Sequence, residues 1–243
     1  DQIWNVRMIK SNMEVDAIRL ACEASIKSFH DLVADFEWGW DEKDVGLYIR
    51  KKLLEYADDC KPNLCMGSRR QVFMADIPAW DDGIPLMPGD RLVLEPLPEV
   101  KGYWGSSGRT FQLGPPTDAS LQKAQILDRG RQVAADMTKP GVTTGEIMDA
   151  IIDTLTEGGL HCSLDQGGHG VGLCGQEPPA IALGEKYVVK PGMVLAVECW
   201  MFETGDNFQP PFNVYGGEDY VYVTEDGCDL FPAFPTDIVS LGV

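Results

Sequence analysis

Four helices are predicted from the spacing of apolar residues and from the polar residues that precede them. Serine, threonine and aspartate cap helix N-termini, and an acidic residue three positions later completes a capping box. The predicted helices follow Ser11-x-x-Glu14, follow Asp41-x-x-Asp44, span Asp118 to Met137, and run from Thr143-x-x-Glu146 to Gly158-Gly159. Lys139-Pro140-Gly141 separates the last two, because proline and glycine end helices.

Strands are predicted where apolar and β-branched residues cluster between turn residues. They are Leu92 to Pro96, Tyr103 to Phe111, Gly168 to Leu173, Met193 to Trp200, and Asp219 to Thr224. Helices and strands follow one another irregularly, with hairpins rather than strict strand–helix–strand units. This order predicts the α+β class with a mainly antiparallel sheet.

A weak internal repeat divides the chain into two halves. Pro88-Gly89-x-x-Leu92-x-x-Glu95 recurs 103 positions later as Pro191-Gly192-x-x-Leu195-x-x-Glu198. The capped helix of Val45, Ile49 and Leu53 recurs 102 positions later as Ile147, Ile151 and Leu155. Two elements repeated at nearly one offset predict pseudo-symmetric halves that form one curved sheet under paired helices. Each half would contribute one glutamate to a shared cleft.

Composition narrows the classes of function. The chain has 243 residues, of which 44% are hydrophobic, enough to build a sizeable core. The formal net charge of −18 would repel phosphate backbones and argues against nucleic-acid binding. The acidity is explained either by the solubility of the protein or by attraction of cationic or zwitterionic small molecules, and a small-molecule substrate is expected on the second explanation.

Cysteine usage and hydropathy indicate the cellular compartment. The seven cysteines are odd in number and contain no CxxC pair, which argues for a reducing, cytoplasmic setting rather than a disulfide framework. The sequence contains no run of ~18 apolar residues, so no membrane-spanning helix is predicted. Cys174 and Cys199 lie near candidate site residues, but inert thiols are commoner than reactive ones. Ser106-Ser107 lacks the frame of a nucleophile elbow.

The candidate chemistry lies in charged residues at unusual places. Glu198 ends an apolar run, and glutamates are rarely buried unless they are paired or bind a ligand. Glu95 and Ser106 lie on neighbouring strands of a predicted hairpin, His169 lies inside a glycine-rich strand, and Glu218 precedes the last strand.

The order Glu95, Ser106, His169, Glu198, Glu218 resembles the five-ligand pattern of the pita-bread family, which includes methionine aminopeptidase, aminopeptidase P, prolidase and creatinase. Further family marks are Gly102-Tyr103, Arg109-Thr110 and the run from Pro191 to Leu195. The resemblance covers residues 1–243 and implies one pita-bread catalytic domain. It also implies a preceding N-terminal domain, absent from this chain, and a homodimer of the full-length protein.

Departures from the pattern bear on the function. The peptidases carry Asp, Asp, His, Glu, Glu and bind two divalent metals, whereas this chain has Glu95 and Ser106 at the aspartate positions. A serine hydroxyl does not bridge two cations as a carboxylate does. Gln176 stands where the peptidases have a proton-shuttling histidine, and Ile77-Pro78 stands where they have another.

These departures favour a creatinase-like hydrolase that cleaves a C–N bond of a small nitrogen-rich or zwitterionic substrate without metal. Glu95 would act as nucleophile or base and His169 would transfer protons. Glu198 and Glu218 would bind substrate cations, while Ser106 and Gln176 would line the pocket. Arg109 would bind a substrate carboxylate, or alternatively support a site carboxylate from behind.

Two alternatives stay open. One is a peptidase or lyase with a single Mn, Co or Zn ion at His169, Glu198 and Glu218. The other is a non-catalytic binding module. Creatinase, ectoine hydrolases and dimethylsulfoniopropionate lyases each resemble part of the pattern, but each also differs from it at one or more site positions.

Overall fold

Five helices form among the residues that the computed structural model describes, which are 2–60, 85–161, 165–205, 209–235 and 238–243 plus the backbone of four short strands between 63 and 76. They are α1 (Gln2–Arg7), α2 (Asn12–Asp35), α3 (Glu42–Tyr56), α4 (Asp118–Met137) and α5 (Thr144–Glu157). The four predicted helices are confirmed. At Ser11, Asp41 and Thr143 the acidic residue three positions later accepts the backbone N–H, as a capping box requires.

Fifteen strands are present in the described residues. They are β1 (Asp59–Cys60), β2 (Asn63–Leu64), β3 (Gly67–Ser68), β4 (Gln71–Val72), β5 (Ala75–Asp76), β6 (Arg91–Leu94), β7 (Pro98–Val100), β8 (Tyr103–Trp104), β9 (Arg109–Leu113), β10 (Gln166–Gly170), β11 (Glu177–Ala182), β12 (Val194–Gly205), β13 (Gln209–Val223), β14 (Cys228–Leu230) and β15 (Val239–Leu241). All five predicted strands appear, but their bounds differ. None of the helices in the described part of the chain is both long and apolar enough to span a bilayer.

One predicted strand is split in two. The sequence predicted a continuous strand from Tyr103 to Phe111, but it is interrupted between β8 and β9. At Gly105 the backbone runs against α2, where an added Cβ would lie 2.6 Å from the Cβ of Ala21. This contact between distant parts of the chain turns the strand out of its path, and strand propensity alone does not reveal it.

Two sheets join into one surface. The larger sheet has the order β11-β10-β12-β13-β14 and is antiparallel throughout, while the smaller has the order β15-β9-β6. Only β15 runs parallel to its neighbour within this pair of sheets. Gly108 and Glu218 connect the sheets by two reciprocal backbone hydrogen bonds, each 3.1 Å long. The mainly antiparallel α+β prediction is therefore confirmed.

The two halves repeat each other in backbone detail. Gly89 and Gly192, 103 positions apart, both have a left-handed backbone, with φ of 90° and 87°. Leu86 donates its N–H to Trp40, and its counterpart Val189 donates to Val142. Each capping residue, Asp41 or Thr143, also forms an antiparallel bridge to the segment that leads into its half's glutamate strand. The repeat seen in the sequence is thus a structural repeat.

One face of the joined sheets is covered by α3, α4, α5 and the second half of α2. One core cluster packs α4 and α5 against β12 and β13, and another packs α2 and α3 against β6 and β9. A third cluster brings the first half of α2 over the opposite face, where it contacts Ala196 and Tyr220. On that face the charged residues lie between this third cluster and a small apolar group formed by Val93, Trp200 and Val214.

Candidate active site

Three antiparallel strands present His169, Glu198 and Glu218 on one face of the larger sheet. In the β12–β13 register Glu198 lies directly opposite Glu218, and His169 on β10 lies opposite Ala196 on β12. Residues directly opposite each other share a face, as do alternate residues of one strand. The three side chains therefore meet above the middle strand, while the intervening residues of β12 point into the helix-covered core.

The three side chains are close enough to act together. His169 Nε2 lies 3.9 Å from Glu198 Oε1 and 3.9 Å from Glu218 Oε1. One ligand atom from each residue falls within 4.8 Å of the other two. All three residues are buried, with 6%, 7% and 1% of their surface exposed in chain order.

A backbone carbonyl determines which ring nitrogen of His169 carries the proton. Its Nδ1 lies 2.9 Å from the carbonyl oxygen of Gly170, and a carbonyl only accepts hydrogen bonds. Nδ1 therefore carries a proton, and in the neutral imidazole Nε2 presents a lone pair to the two glutamates. This arrangement, with the far ring nitrogen tied to a backbone carbonyl, is typical of metal-binding histidines.

The junction of the two sheets brings Glu95 to the same place. Leu94 pairs with Arg109 at the end of β6, so Glu95 lies beside Gly108, which bridges to Glu218. The Glu95 side chain is half-buried and forms a hydrogen bond with the side chain of Glu218. A hydrogen bond between two carboxyl groups requires a proton on one of them.

Burial makes the cluster reluctant to carry full negative charge. It raises the pKa of Glu218 well above its ordinary value, and the neighbouring charges of Glu95 and Glu198 raise it further. Burial also raises the pKa of Glu198, although His169 and a hydrogen bond from Trp200 oppose that shift. A cation at the cluster would reverse the balance by favouring both ionised carboxylates.

Several buried polar atoms here have no protein partner. They include Glu218 Oε2 and the hydroxyl oxygens of Ser106 and Ser107. Buried polar groups are normally satisfied, so such atoms point to a bound species. One imidazole and two carboxylates suit Mn, Co or Zn, and their spacing lets side-chain rotation close them onto one ion. The described residues therefore fit a single divalent cation.

Arg109 is placed behind the cleft and not in it. It alternates with Gly108 along the chain, so its side chain points to the helix-covered face, where it is only 1% exposed. All three guanidinium nitrogens donate to protein oxygens, among them the carbonyl of Glu218, at 2.8 Å, and Asp219 Oδ1, at 2.6 Å. These contacts correct the prediction that Arg109 binds substrate and match the alternative of a buried support.

The other predicted residues have varied surroundings. Gln176 is exposed on the turn between β10 and β11, while Ser106 is buried beside the sheet junction. Cys199 points into the core under α4 and α5, and Cys174 lies on the same turn as Gln176, 3.6 Å from an Arg7 nitrogen. Positions 77 and 78, predicted to lack the family's histidine, fall outside the described residues.

Three supporting residues were not identified from the sequence, and they are Trp200, Asp219 and Arg131. Trp200 donates its indole N–H to Glu198 Oε2 over 2.8 Å. Asp219 accepts from Arg109 on one oxygen and from Arg131 on the other, behind Glu218. Asp219 carried a usable signal, since it directly follows a candidate site residue in a strand. Trp200 carried no such signal, because it appears in the sequence only as the last residue of the predicted strand Met193 to Trp200.

Glu177 is the fourth unpredicted residue. It is buried and forms ion pairs with Arg7 and with Lys10, whose Nζ lies 3.6 Å away. It also accepts the backbone N–H of Cys174, so it holds the turn that follows His169. Arg7 and Lys10 precede Glu177 by 170 and 167 positions, and one sequence offers no signal that would pair them.

The chain is similar to metallopeptidases in sequence and in structure. A model of metallopeptidase family M24 matches residues 16–225. A Mycobacterium tuberculosis protein described as probable dipeptidase PepE is 30% identical over 100% of this chain and 63% of its own length. The Xaa-Pro dipeptidase of Pyrococcus furiosus is 26% identical over 93% of the chain and 64% of its own length.

Solved structures agree with the sequence comparisons. Dipeptidase PepE from Mycobacterium ulcerans superimposes with a TM-score of 0.86 and 26% identity, covering 98% of this chain and 63% of that one. An X-Pro aminopeptidase from Thermotoga maritima superimposes with a TM-score of 0.87 at 21% identity, covering 99% and 66%. The second likeness concerns the fold alone. The chain spans about 63% of the length of the mycobacterial relatives.

Proposed function

Because the chain belongs to metallopeptidase family M24, we propose that it is a hydrolase that cleaves the C–N bond of a small, peptide-like zwitterion with one divalent cation. The observation that carries this proposal is the buried cluster of His169, Glu198 and Glu218, whose ligand atoms lie within 4.8 Å of one another. This reverses the order of the two hydrolase hypotheses drawn from the sequence, in which the metal-free reaction came first.

The ion would be held by His169 Nε2 and by one oxygen each of Glu198 and Glu218. When bound, such an ion polarises a carbonyl oxygen and lowers the pKa of a bound water toward neutrality. We limit the centre to one ion because the Ser106 hydroxyl is a neutral oxygen and does not bridge two cations. The partnerless Glu218 Oε2 supports the presence of a positively charged group beside it.

The residues of the chain would manage the protons. Because burial and the neighbouring carboxylates raise the pKa of Glu218, Glu95 and Glu218 would share one proton across their hydrogen bond when no cation is bound. Once Glu218 is fully ionised by a neighbouring positive charge, that proton belongs to Glu95. Glu95 is half-buried at the edge of the cleft. It would donate this proton to the departing amine as the C–N bond breaks, and it would regain a proton from the carboxylic acid that the attack of water forms. Ser106 and Gln176 remain proposed substrate contacts.

The substrate class follows from charge. The acidic cluster and the net charge of −18 favour a substrate with an ammonium group. Two similar proteins are described as dipeptidases, which makes short peptides the first compounds to test.

A second candidate is the metal-free hydrolase predicted from the sequence. It is favoured by the hydrogen bond between Glu95 and Glu218, because a neutral carboxyl beside an ionised one is an acid–base pair without any ion. Glu95 would then attack the carbonyl carbon as nucleophile and expel the amine, which takes the proton of Glu218, and water would hydrolyse the acyl–Glu95 intermediate. Alternatively, Glu95 would act as base and activate the attacking water.

Measurements of turnover by wild-type protein and by Glu95→Gln, with and without a divalent ion, test the proposal. A panel of dipeptides and small amides is incubated with wild-type protein, with chelator, and with chelator followed by Co²⁺ or Mn²⁺. We expect hydrolysis that chelator abolishes and the ion restores. Glu95→Gln should lower kcat by on the order of 100-fold or more, because glutamine cannot transfer the proton.

Three outcomes separate the hypotheses. Turnover that survives chelator but not Glu95→Gln would favour the metal-free reaction. Undiminished turnover by Glu95→Gln would refute the role of Glu95 in both reactions. Binding of compounds without turnover under any condition would favour a non-catalytic module.

A further inference from the structure

The indole of Trp200 occupies a slot beside the acidic cluster that two glycines leave open. A Cβ added at Gly108 would lie 2.8 Å from Trp200 Cη2, and one added at Gly216 would lie 2.7 Å from Trp200 Cε3. Contacts this short do not occur with real side chains, so the ring fits only because both positions lack a side chain. Val93 and Val214 pack with the ring as its apolar neighbours.

This slot aims the indole nitrogen at the cluster. Trp200 lies two positions after Glu198 on β12, so both side chains emerge on the same face. The indole N–H donates to Glu198 Oε2 over 2.8 Å, and Trp200 is only 5% exposed. The ring is therefore a rigid donor whose direction is set by packing.

The hydrogen bond divides the two oxygens of Glu198 between different tasks. Oε2 accepts from the indole, and Oε1 faces His169 Nε2 at 3.9 Å. An oxygen that accepts a directed hydrogen bond from a buried donor is a poorer second ligand. Glu198 would thus offer a single oxygen to a cation.

We propose that Trp200 is a positioning residue that fixes Glu198 as a one-oxygen ligand, and that the Gly108–Gly216 slot exists to hold it. This inference rests on the proposed single-cation function and adds to it the residue that sets the coordination by Glu198. Partners that orient metal ligands in this way typically contribute about 10- to 100-fold to metal affinity.

Calorimetric titration with Co²⁺ of protein stripped by chelator tests the proposal. Trp200→Phe keeps an aromatic ring in the slot but removes the N–H, so we expect its Kd for Co²⁺ to rise by about 10- to 100-fold. Phe202→Leu is the matched control, because Phe202 packs against the same apolar group further along β12. It should bind Co²⁺ as the wild type does. Circular dichroism checks that each variant is folded.

A second variant tests the slot without changing Trp200. The added methyl of Gly108→Ala should displace the indole and weaken Co²⁺ binding in wild-type protein. It should weaken binding less in Trp200→Phe, because phenylalanine lacks the ring atoms Cη2 and Cζ2 that the methyl would meet, which leaves only the contact with Glu218 Cβ at 3.1 Å.

The outcomes separate this inference from the function on which it rests. A wild type that binds one Co²⁺ while Trp200→Phe binds it equally tightly would overturn the role of Trp200 and leave the proposed function standing. If Gly108→Ala weakened Co²⁺ binding by the same factor in wild-type protein and in Trp200→Phe, the role of Trp200 would also be overturned. A wild type that binds no Co²⁺ would overturn both.

Discussion

Glu218 is the residue at which the conflict between burial and charge is sharpest. Its carboxyl is almost fully buried, one of its oxygens has no hydrogen-bond partner, and Glu95 and Glu198 lie next to it. Burying an uncompensated charge costs several kcal/mol. Without a cation, the folded protein therefore holds a proton on Glu218, and its free energy of unfolding falls as the pH rises.

The pH dependence of stability has a definite sign. Burial raises the pKa of Glu218 in the folded state above its value in the unfolded chain. The resulting stability is complete below the unfolded pKa and is lost as pH rises through the folded pKa. Glu218→Gln, a neutral isostere, should therefore be more stable than chelated wild type at pH 8, by about 2 kcal/mol. That difference should shrink toward zero at pH 5.

Thermal unfolding in chelator measures this difference. For a chain of this size 2 kcal/mol corresponds to a rise in Tm of about 4–8 °C. Glu225→Gln, at the exposed turn after β13, is the control and should show no such trend. A difference between Glu218→Gln and wild type that stays constant from pH 5 to pH 8 would contradict the account.

Single site residues could be predicted from the sequence where a charged side chain stands in an apolar segment. Glu198 ends an apolar strand, and the structure brings it together with His169 and Glu218, as expected. For Arg109 the sequence left two roles open, substrate contact or buried support, because the face that its side chain takes depends on where the strand breaks. The strand breaks where Gly105 contacts α2. The local sequence pattern does not reveal this contact, because the two segments are distant in the chain.

At the scale of elements, the segment around α1 restrains the turn that follows His169. Arg7 and Lys10 both pair with the buried Glu177, and Lys10 itself is only 6% exposed. Burial lowers the pKa of Lys10, while the charge of Glu177 opposes that shift. The two cations and Glu177 thus form an N-terminal clamp on the β10–β11 turn.

Removing the charge of Glu177 should loosen this clamp. Glu177→Gln leaves the buried Lys10 without its anion, and breaking buried ion pairs costs about 3–5 kcal/mol. Because the Arg7 side chain is 27% exposed, we expect a loss near the lower end, about 3 kcal/mol.

Urea unfolding at pH 7 measures that loss. Glu157→Gln, at the exposed end of α5, serves as the control for loss of one carboxylate. A loss below about 1 kcal/mol for Glu177→Gln would show that the clamp contributes no more than a surface ion pair does.

Elements with local signals were predictable and those defined by distant contacts were not. The capping boxes indicated the starts of α2, α3 and α5, and the repeated glutamate strands revealed the two halves. The short helix α1, and strands β11 and β15, lacked such signals, because each is defined by what it packs against.

At the scale of the whole molecule, the pseudo-symmetry explains why the cluster sits at the sheet junction. Glu95 and Glu198 are equivalent residues of the two halves, and the Gly108–Glu218 bridge joins the sheets between them. Only the second half contributes His169, so the cluster is one-sided, as expected for a single ion. The homodimer and the cytoplasmic setting implied by the sequence stay predictions.

Metal content per chain decides whether His169, Glu198 and Glu218 hold a single cation. Protein stripped with chelator is soaked in Co²⁺, Mn²⁺ or Zn²⁺, passed through a desalting column and measured by plasma mass spectrometry. We predict one ion per chain in wild type and its loss in Glu198→Gln and Glu218→Gln, which each remove a ligand charge. A chain that stays empty, or one that holds two ions, would contradict the single-cation centre.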